Sequence, residues 1–378
     1  MLYIIGFTKH GMELAQKIKI NLNYTAKLYY KSGQDIEFGE KISGTLEEWT
    51  GDAFLNADVI LFIGACGIAV RSIAPFLTDK WHDPAVLVMD EGGRHCISLL
   101  SGHVGGGNLW CEKIADIAGA VPVITTATDV NGKFAVDVFA GENKMYLKEP
   151  ELAKEVSAAV LAGEKIPLVV EDGIFCRGAE CEIEDEIKKK LDNVGISLLT
   201  AGQLEKAESQ SGKGASWEIG IYVGVRRVEL PFKKALHLIP KALVLGVGCK
   251  KGTSEETIGR RVDEFCRDRG LFQEAFSMVS TIDLKKEEPG LLAFCDGREL
   301  PLVTFSTEKL RRLEGDFTPS PFVEQTTGVD NVCERSALAL ALKQGQRAGL
   351  LERKYSGEGV TTAAAVIQKG GPRWDGFM

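Results

Sequence analysis

Short apolar runs that stop at glycine or a polar turn set the limits on this fold. Leu2–Phe7 (LYIIGF), Ala57–Ile63 (ADVILFI), Ala85–Met89 (AVLVM) and Ala242–Gly248 (ALVLGVG) are too short for stable helices and rich in Val, Ile and Leu. Runs of that kind read as strands. Helical patterns follow them: Met12–Ile20 after the first, Ile68–Pro75 after the second, and a later segment with Trp110, Ile114 and Ile117 on one face that ends at Gly119. Strands alternating with helices predict an α/β fold.

Two more strands, HCISLL (95–100) after the turn EGGR and VPVITT (121–126), complete the N-terminal set, the second of them expected to be buried. We place a Rossmann-like α/β domain at 1–138, a middle region and linker at 139–238, and a smaller C-terminal α/β domain at 239–378. A chain of 378 residues has room for two or three domains. The middle region reads as an acidic helix over 150–165, a strand at Pro167–Val170, the charged segment EIEDEIKKKLDN as a solvated helix or extended edge, a linker near 205–216, and a strand in IGIYVGVRRVEL. In the C-terminal domain Ile258, Val262, Phe265 and Cys266 share a helical face, and Thr253 with Glu256 matches a capping box. SMVSTI, PLVTFS and VTTAAAVI read as strands there, with helices around Pro289–Phe294 and Cys333–Leu342.

A net charge of −8 argues against a nucleic-acid or acidic-membrane surface, whose affinity comes from dense Lys and Arg. No apolar run reaches the roughly 18 residues of a membrane span, and the N-terminus has no basic leader with an apolar core, so a cytoplasmic location is expected. Nine cysteines without a CxxC pair read as reduced, mostly buried thiols. Five histidines without metal-ligand spacing give no support to a protein-bound metal.

Three glycine-rich loops follow strands: GACG (64–67), SGHVGGGN (101–108) and GVGCKKGTS (246–254). In open α/β sheets, ligands collect outside the carboxyl ends of strands, where helix N-termini offer N–H groups to anions. Each loop alone reads equally well as a tight turn that needs positive φ. The third has the spacing GxGxxxG, one residue away from a dinucleotide fingerprint, and its lysines precede Gly252 rather than Ser or Thr, so it is no phosphate-binding P-loop. Lys250 and Lys251 beside a helix start suit carboxylates.

The segment DEGGRHCISLLSGHVGGGN gathers acid/base candidates. His103 before the glycines is the best placed to move protons near neutral pH, with the N–H groups of Gly105, Gly106 and Gly107 for a developing oxyanion. Asp90 and Glu91 are further candidates, or turn residues bracing a hairpin. Gly64, Gly67, Arg71, Arg94, Ser101 and Asn108 join a binding set with Thr125, Thr126 and Asp129 past the VPVITT strand. Gly246, Gly248, Lys250, Lys251, Gly252, Thr253 and Ser254 complete it in the C-terminal domain.

These stretches carry a resemblance. PAVLVMDEGGRHCISLLSGHVGGGNLWCEKIADIAGAVPVITTATD with the upstream GACGIAVR, and then ALVLGVGCKKGTSEETI, STIDLKKEEPGLLAF, PLVTFS, TGVDNVCERSALAL and VTTAAAV, are similar to the cobalt-precorrin-5A hydrolase family in order and spacing over about two-thirds of the chain. The middle region fits a variable segment of that family. The resemblance implies hydrolytic opening of the δ-lactone of a ring-contracting cobalt corrinoid and expulsion of the extruded carbon as acetaldehyde. It also implies a cobalt that arrives inside the substrate, with no separate cofactor. On this expectation His103 moves protons aided by Glu91 and Asp90, and Arg71, Arg94, Lys250 and Lys251 meet the acetate and propionate arms. The partner expected is the corrinoid, with neither nucleic acid nor membrane; a homodimer and transient contact with the pathway's methyltransferases are compatible with it. A non-catalytic corrinoid carrier is the rival reading, and a nicotinamide oxidoreductase lacks its fingerprint.

Overall fold

The computed structural model describes residues 1–79, 82–102, 105–174, 185–199, 217–345, 347–368, 372 and 374, apart from the side chains of Asp129 and Asp185. The chain divides into two compact units, Met1–Val138 and Phe139–Met378. The fold is α/β throughout, as the strand–helix alternation predicts.

In the first unit, β1 (Leu2–Gly6), β2 (Ala26–Tyr30), β3 (Glu40–Lys41), β4 (Val59–Ile63), β5 (Ala85–Met89), β6 (His95–Leu100) and β7 (Val121–Val123) form one sheet in the order β3-β2-β1-β4-β5-β6-β7. β1, β4 and β5 are buried at every position, because each lies in the interior of the sheet with helices on both faces. Leu2, Ile4, Leu61, Ile63, Leu87 and Met89 pack against α1 (Lys9–Asn21) through Met12, Ala15 and Ile18, and against a helix at Gly107–Ala118. The alternate residues Tyr3, Ile5, Ile60, Phe62, Val86 and Val88 meet α2 (Leu46–Asn56) and α3 (Cys66–Ile73) on the other face. The Gly107–Ala118 helix is α4.

One expectation needs correction here. The strand in VPVITT is only Val121–Val123, and it is the outermost strand, with Val121 59% exposed rather than buried. Its Pro122 is tolerated because an edge strand has one side free of ladder bonds. Strand direction changes next to it. β6 returns through a tight turn and pairs antiparallel with β5, Met89 opposite Cys96 and Val86 opposite Leu100, and β7 runs parallel to β6.

The second unit holds two sheets. β8 (Met145–Leu147), β9 (Ile166–Val170), β10 (Ile196–Leu199), β11 (Trp217–Val223) and β12 (Phe232–Pro240) pair in the order β10-β9-β11-β12-β8, with helices α5 (Pro150–Leu161) and α6 (Asp185–Asn193). The charged segment is thus helical over its described part, and the expected linker near 205–216 lies outside the described residues. β13 (Leu243–Cys249), β14 (Phe276–Ile282), β15 (Leu302–Phe305), β16 (Arg347–Gly357) and β17 (Val360–Gln368) pair as β15-β14-β13-β17-β16. One core joins Val169, Tyr222 and Ile239 of the first of these sheets to Leu243, Leu245, Val247 and Phe265. Phe265 belongs to α7 (Glu255–Asp268), which covers one face of the last sheet beside α8 (Pro289–Gly297); α9 (Cys333–Gln344) covers the other with Ala337, Leu340 and Ala341. Among the described residues no helix is long and apolar enough to cross a membrane.

Candidate active site

Strand order in the first sheet reverses at β1 and β4: the chain leaves β1 toward β2 on one side and returns through β4 to β5 on the other. A crevice outside the carboxyl ends of strands opens at such a switch point. Three loops meet there. Phe7 and Thr8 follow β1, Gly64 to Gly67 follow β4, and Asp90 and Glu91 follow β5. The Gly64 N–H donates to the Met89 carbonyl at 2.9 Å, tying two loops together, and a Cβ on Gly64 would stand 2.8 Å from the Phe7 ring. Glycine at 64 is therefore a close-approach residue.

Thr8 caps α1: its Oγ1 accepts the Gly11 N–H at 3.1 Å. The same hydroxyl donates to Glu91 Oε1. Sequence reading did not single out Thr8, although a threonine between an apolar strand and a helical pattern is the ordinary signal of an N-cap. α3, by contrast, opens at Ala65 with no side chain capping it; the Ile68 N–H is bound to the Ala65 carbonyl at 2.9 Å, which leaves the N–H groups of Cys66 and Gly67 at the positive end of the helix. Arg71 bends back to give Nη1–H to the Gly67 carbonyl at 3.2 Å, and its guanidinium is exposed beside the loop.

Asp90 and Glu91 have different roles. The Asp90 carboxylate accepts three backbone N–H groups, from Gly92 at 3.0 Å, Arg94 at 3.0 Å and His95 at 2.7 Å. Burial pushes its carboxyl up, but those donors and the neighbouring His95 ring pull it down further, and the net is below the usual carboxylate range. An acid already bound to its own turn is poorly suited to proton transfer; Asp90 braces the hairpin. Glu91 has one oxygen on Thr8 and the other without a donor among the described residues. Arg94 is exposed on the same turn.

The glycine loop at 101–108 is elsewhere. Because β6 runs antiparallel to β5, its end at Leu100 returns to the start of β5, where a Cβ on Gly105 would lie 3.4 Å from the Ala85 nitrogen. Six residues of strand, about 20 Å, separate that edge from Glu91. The expected single cluster of Glu91 with the 101–108 glycines is therefore not formed. His103 itself lies outside the described residues. The N–H of Gly107 is bound to the Ser101 carbonyl at 3.1 Å and that of Asn108 to the Gly102 carbonyl at 2.9 Å, so Gly107 has no N–H left for an oxyanion. Asn108 Nδ2 donates to Thr126 Oγ1 at 3.0 Å, which brings the expected Asn108, Ser101, Thr125 and Thr126 to this second edge. The side chain of Asp129 lies outside what is described.

In the second unit the loop after β13 is built mainly for packing. A Cβ on Gly246 would fall 1.9 Å from the Cys333 carbonyl at the start of α9, and one on Gly248 would fall 2.6 Å from Thr361 Oγ1. Gly252, at φ +78°, gives its N–H to Glu288 at 2.5 Å, and Lys285 Nζ lies 2.8 Å from the other oxygen. Lys285 holds the Glu288 carboxyl below its usual range against the upward push of burial, with the Gly252 N–H adding to it. Lys250 and Lys251 are exposed. The helix cap is Ser254, whose Oγ accepts the Thr257 N–H at 3.3 Å, one residue beyond the expected Thr253. Thr253 instead gives its hydroxyl to the Lys250 carbonyl at 2.8 Å.

Fold and site together define an α/β protein whose first sheet has a strand-order switch point, the place where folds of this class bind small molecules. Its N-terminal part matches the family model described as cobalamin synthesis G N-terminal over residues 48–129, the middle matches the cobalamin biosynthesis central region over 134–240, and the rest matches cobalamin synthesis G C-terminus over 243–365. The chain is 32% identical to the cobalt-precorrin-5A hydrolase of Salmonella typhimurium over 95% of both chains, and 29% identical to that of Priestia megaterium over 96% of this chain and 94% of the relative. A crystal structure of a cobalamin biosynthesis protein G homologue from Sulfolobus solfataricus matches 97% of each chain at 19% identity with a TM-score of 0.38. The chain belongs to the cobalt-precorrin-5A hydrolase family.

Proposed function

We propose that this chain is an enzyme, a cobalt-precorrin-5A hydrolase of cobalamin biosynthesis, and that Glu91 is its general base. It opens the δ-lactone of cobalt-precorrin-5A and releases the extruded carbon with its methyl as acetaldehyde, leaving cobalt-precorrin-5B. The observation that carries the assignment of the base is a carboxylate with one oxygen anchored on Thr8 and one without a donor among the described residues, at a switch point beside an uncapped helix start.

Water attacks the lactone carbonyl carbon while Glu91 takes a proton from it. Charge develops on the carbonyl oxygen, and the N–H groups of Cys66 and Gly67 at the uncapped start of α3 are the donors that receive it. The ring C–O bond breaks, and the departing oxygen takes a proton to become a secondary alcohol. Removal of that alcohol's proton then drives cleavage of the adjoining C–C bond: its electron pair stays with the macrocycle, which is protonated, and acetaldehyde leaves. One water is consumed, and a carboxylic acid and an aldehyde are formed. Arg71 and Arg94 supply exposed cations for the substrate's carboxylate arms. Cobalt enters within the substrate, and the reaction needs no separate cofactor.

The test is anaerobic acetaldehyde release from cobalt-precorrin-5A by wild type, Glu91→Gln and His103→Ala. We expect release by wild type and a loss of about 100-fold or more in kcat for Glu91→Gln. A wild-type rate for Glu91→Gln with collapse in His103→Ala would move the chemistry to the 101–108 loop. Tight corrinoid binding by wild type without acetaldehyde would leave a carrier.

A further inference from the structure

We infer that Thr8 is a positioning residue for the reaction, acting through Glu91; this rests on the reading of Glu91 as general base. The Thr8 hydroxyl has one proton and one role at each side. Its oxygen accepts the Gly11 N–H at 3.1 Å, which fixes the hydroxyl on the first turn of α1, and its proton goes to Glu91 Oε1. A helix cap that only capped would have no need of a carboxylate from a turn 83 residues away. Among the described residues no other donor is placed on that carboxylate. Asp90 is engaged by the backbone of its own turn, the exposed His95 ring stands 3.7 Å from Asp90, and His10 on α1 faces Glu13 at 3.7 Å. With Oε1 held by Thr8, Oε2 is the oxygen available to water, and its direction is set by the start of α1 rather than by the mobility of a glutamate side chain.

Turnover is measured for Thr8→Val, Thr8→Ser, Glu91→Gln and the double variant Thr8→Val/Glu91→Gln, with Thr45→Val as control. Thr45 caps α2 in a capping box, and its hydroxyl and N–H are paired with Glu48 rather than with Glu91. We expect Thr8→Val to lower kcat about 10- to 100-fold with KM within about twofold, the signature of a misplaced catalytic group. Thr8→Ser should restore most of the rate, and the double variant should be no slower than Glu91→Gln alone, because the two act as a unit. Thr45→Val should lower thermal stability with kcat unchanged. The inference is overturned if Thr8→Val leaves kcat intact, if it slows the Glu91→Gln enzyme by the same factor as wild type, or if Thr45→Val slows turnover equally. A Glu91→Gln enzyme at wild-type rate would instead overturn the assignment of the base itself.

Discussion

Gly246→Ala tests whether the longest glycine loop is there for packing or for ligand. Gly246 lies mid-sheet, paired with Ser280 on one side and Ala363 on the other, and its backbone needs no positive φ. An added Cβ would stand 1.9 Å from the Cys333 oxygen, 2.8 Å from its carbonyl carbon and 2.9 Å from Ala337 Cβ. All three are backbone or stub atoms that no rotamer change can move, so the start of α9 must retreat by about 1.5 Å. That start is tightly held. Asn331 Oδ1 accepts the Glu334 N–H at 2.8 Å, and the fully buried Glu334 carboxylate accepts from the Thr318 N–H, the Thr318 hydroxyl and the Lys354 N–H at 2.7–2.8 Å. Overpacking against such a frame falls at the high end of its range, about 3 kcal/mol. For a unit of this size that is a fall in Tm of about 6–12 °C. Calorimetry on the full chain reads it, with Gly349→Ala, whose Cβ would meet nothing within 4 Å, as the matched control. If Gly246→Ala melts within about 2 °C of wild type while losing activity, the packing argument fails and the glycine belongs to the ligand.

Ser254→Ala should cost about 1 kcal/mol in chemical denaturation and Thr253→Ala clearly less, since only the first removes the cap of α7; the reverse order would restore the original capping box. Asp90 has a folded pKa below its unfolded value, so the stability it adds is present above about pH 4 and is lost as pH falls through the folded value. Asp90→Asn should therefore flatten the acid side of the stability profile, and an unchanged acid limb by circular dichroism would refute it. Glu171→Gln should destabilise the second unit by about 1–2 kcal/mol, because one oxygen of this partly buried carboxylate accepts from Tyr222 Oη and the N–H groups of Val225 and Arg226 and its charge pairs with Arg226; a melting point unchanged within error would contradict this. A thiol reagent on the native protein should reach Cys66 long before Cys266, Cys295 and Cys333, which are buried and whose thiols burial pushes up to about 12; mass spectrometry of labelled peptides decides.

The fold was legible where local pattern and tertiary role coincide. β1, β4, β5 and β13 are apolar along their length because they are covered on both faces, so the run of Ile, Val and Leu marks both the strand and its central place. β2, with alternating burial, and β16, half-exposed along most of its length, carry lysine, arginine or glutamate among their apolar residues and were not read from the sequence. Phe232–Pro240 escaped for the same reason, its paired lysines hiding a strand whose last three residues are buried.

The site was less legible because it depends on the direction of one strand. Local sequence shows that a turn stands between β5 and β6, but a strand-turn-strand pattern does not by itself say on which edge the next loop emerges. The three-donor grip of Asp90 on Gly92, Arg94 and His95 makes that turn tight, and a tight turn makes β6 antiparallel. Once β6 is antiparallel, the glycine loop after it must lie at the opposite edge from Glu91, and its first helical N–H groups are taken up by the Ser101 and Gly102 carbonyls. The same residue that sequence reading offered as a catalytic acid thus determines which of the glycine loops stands near Glu91: the GACG loop, joined to β5 through Gly64 and Met89.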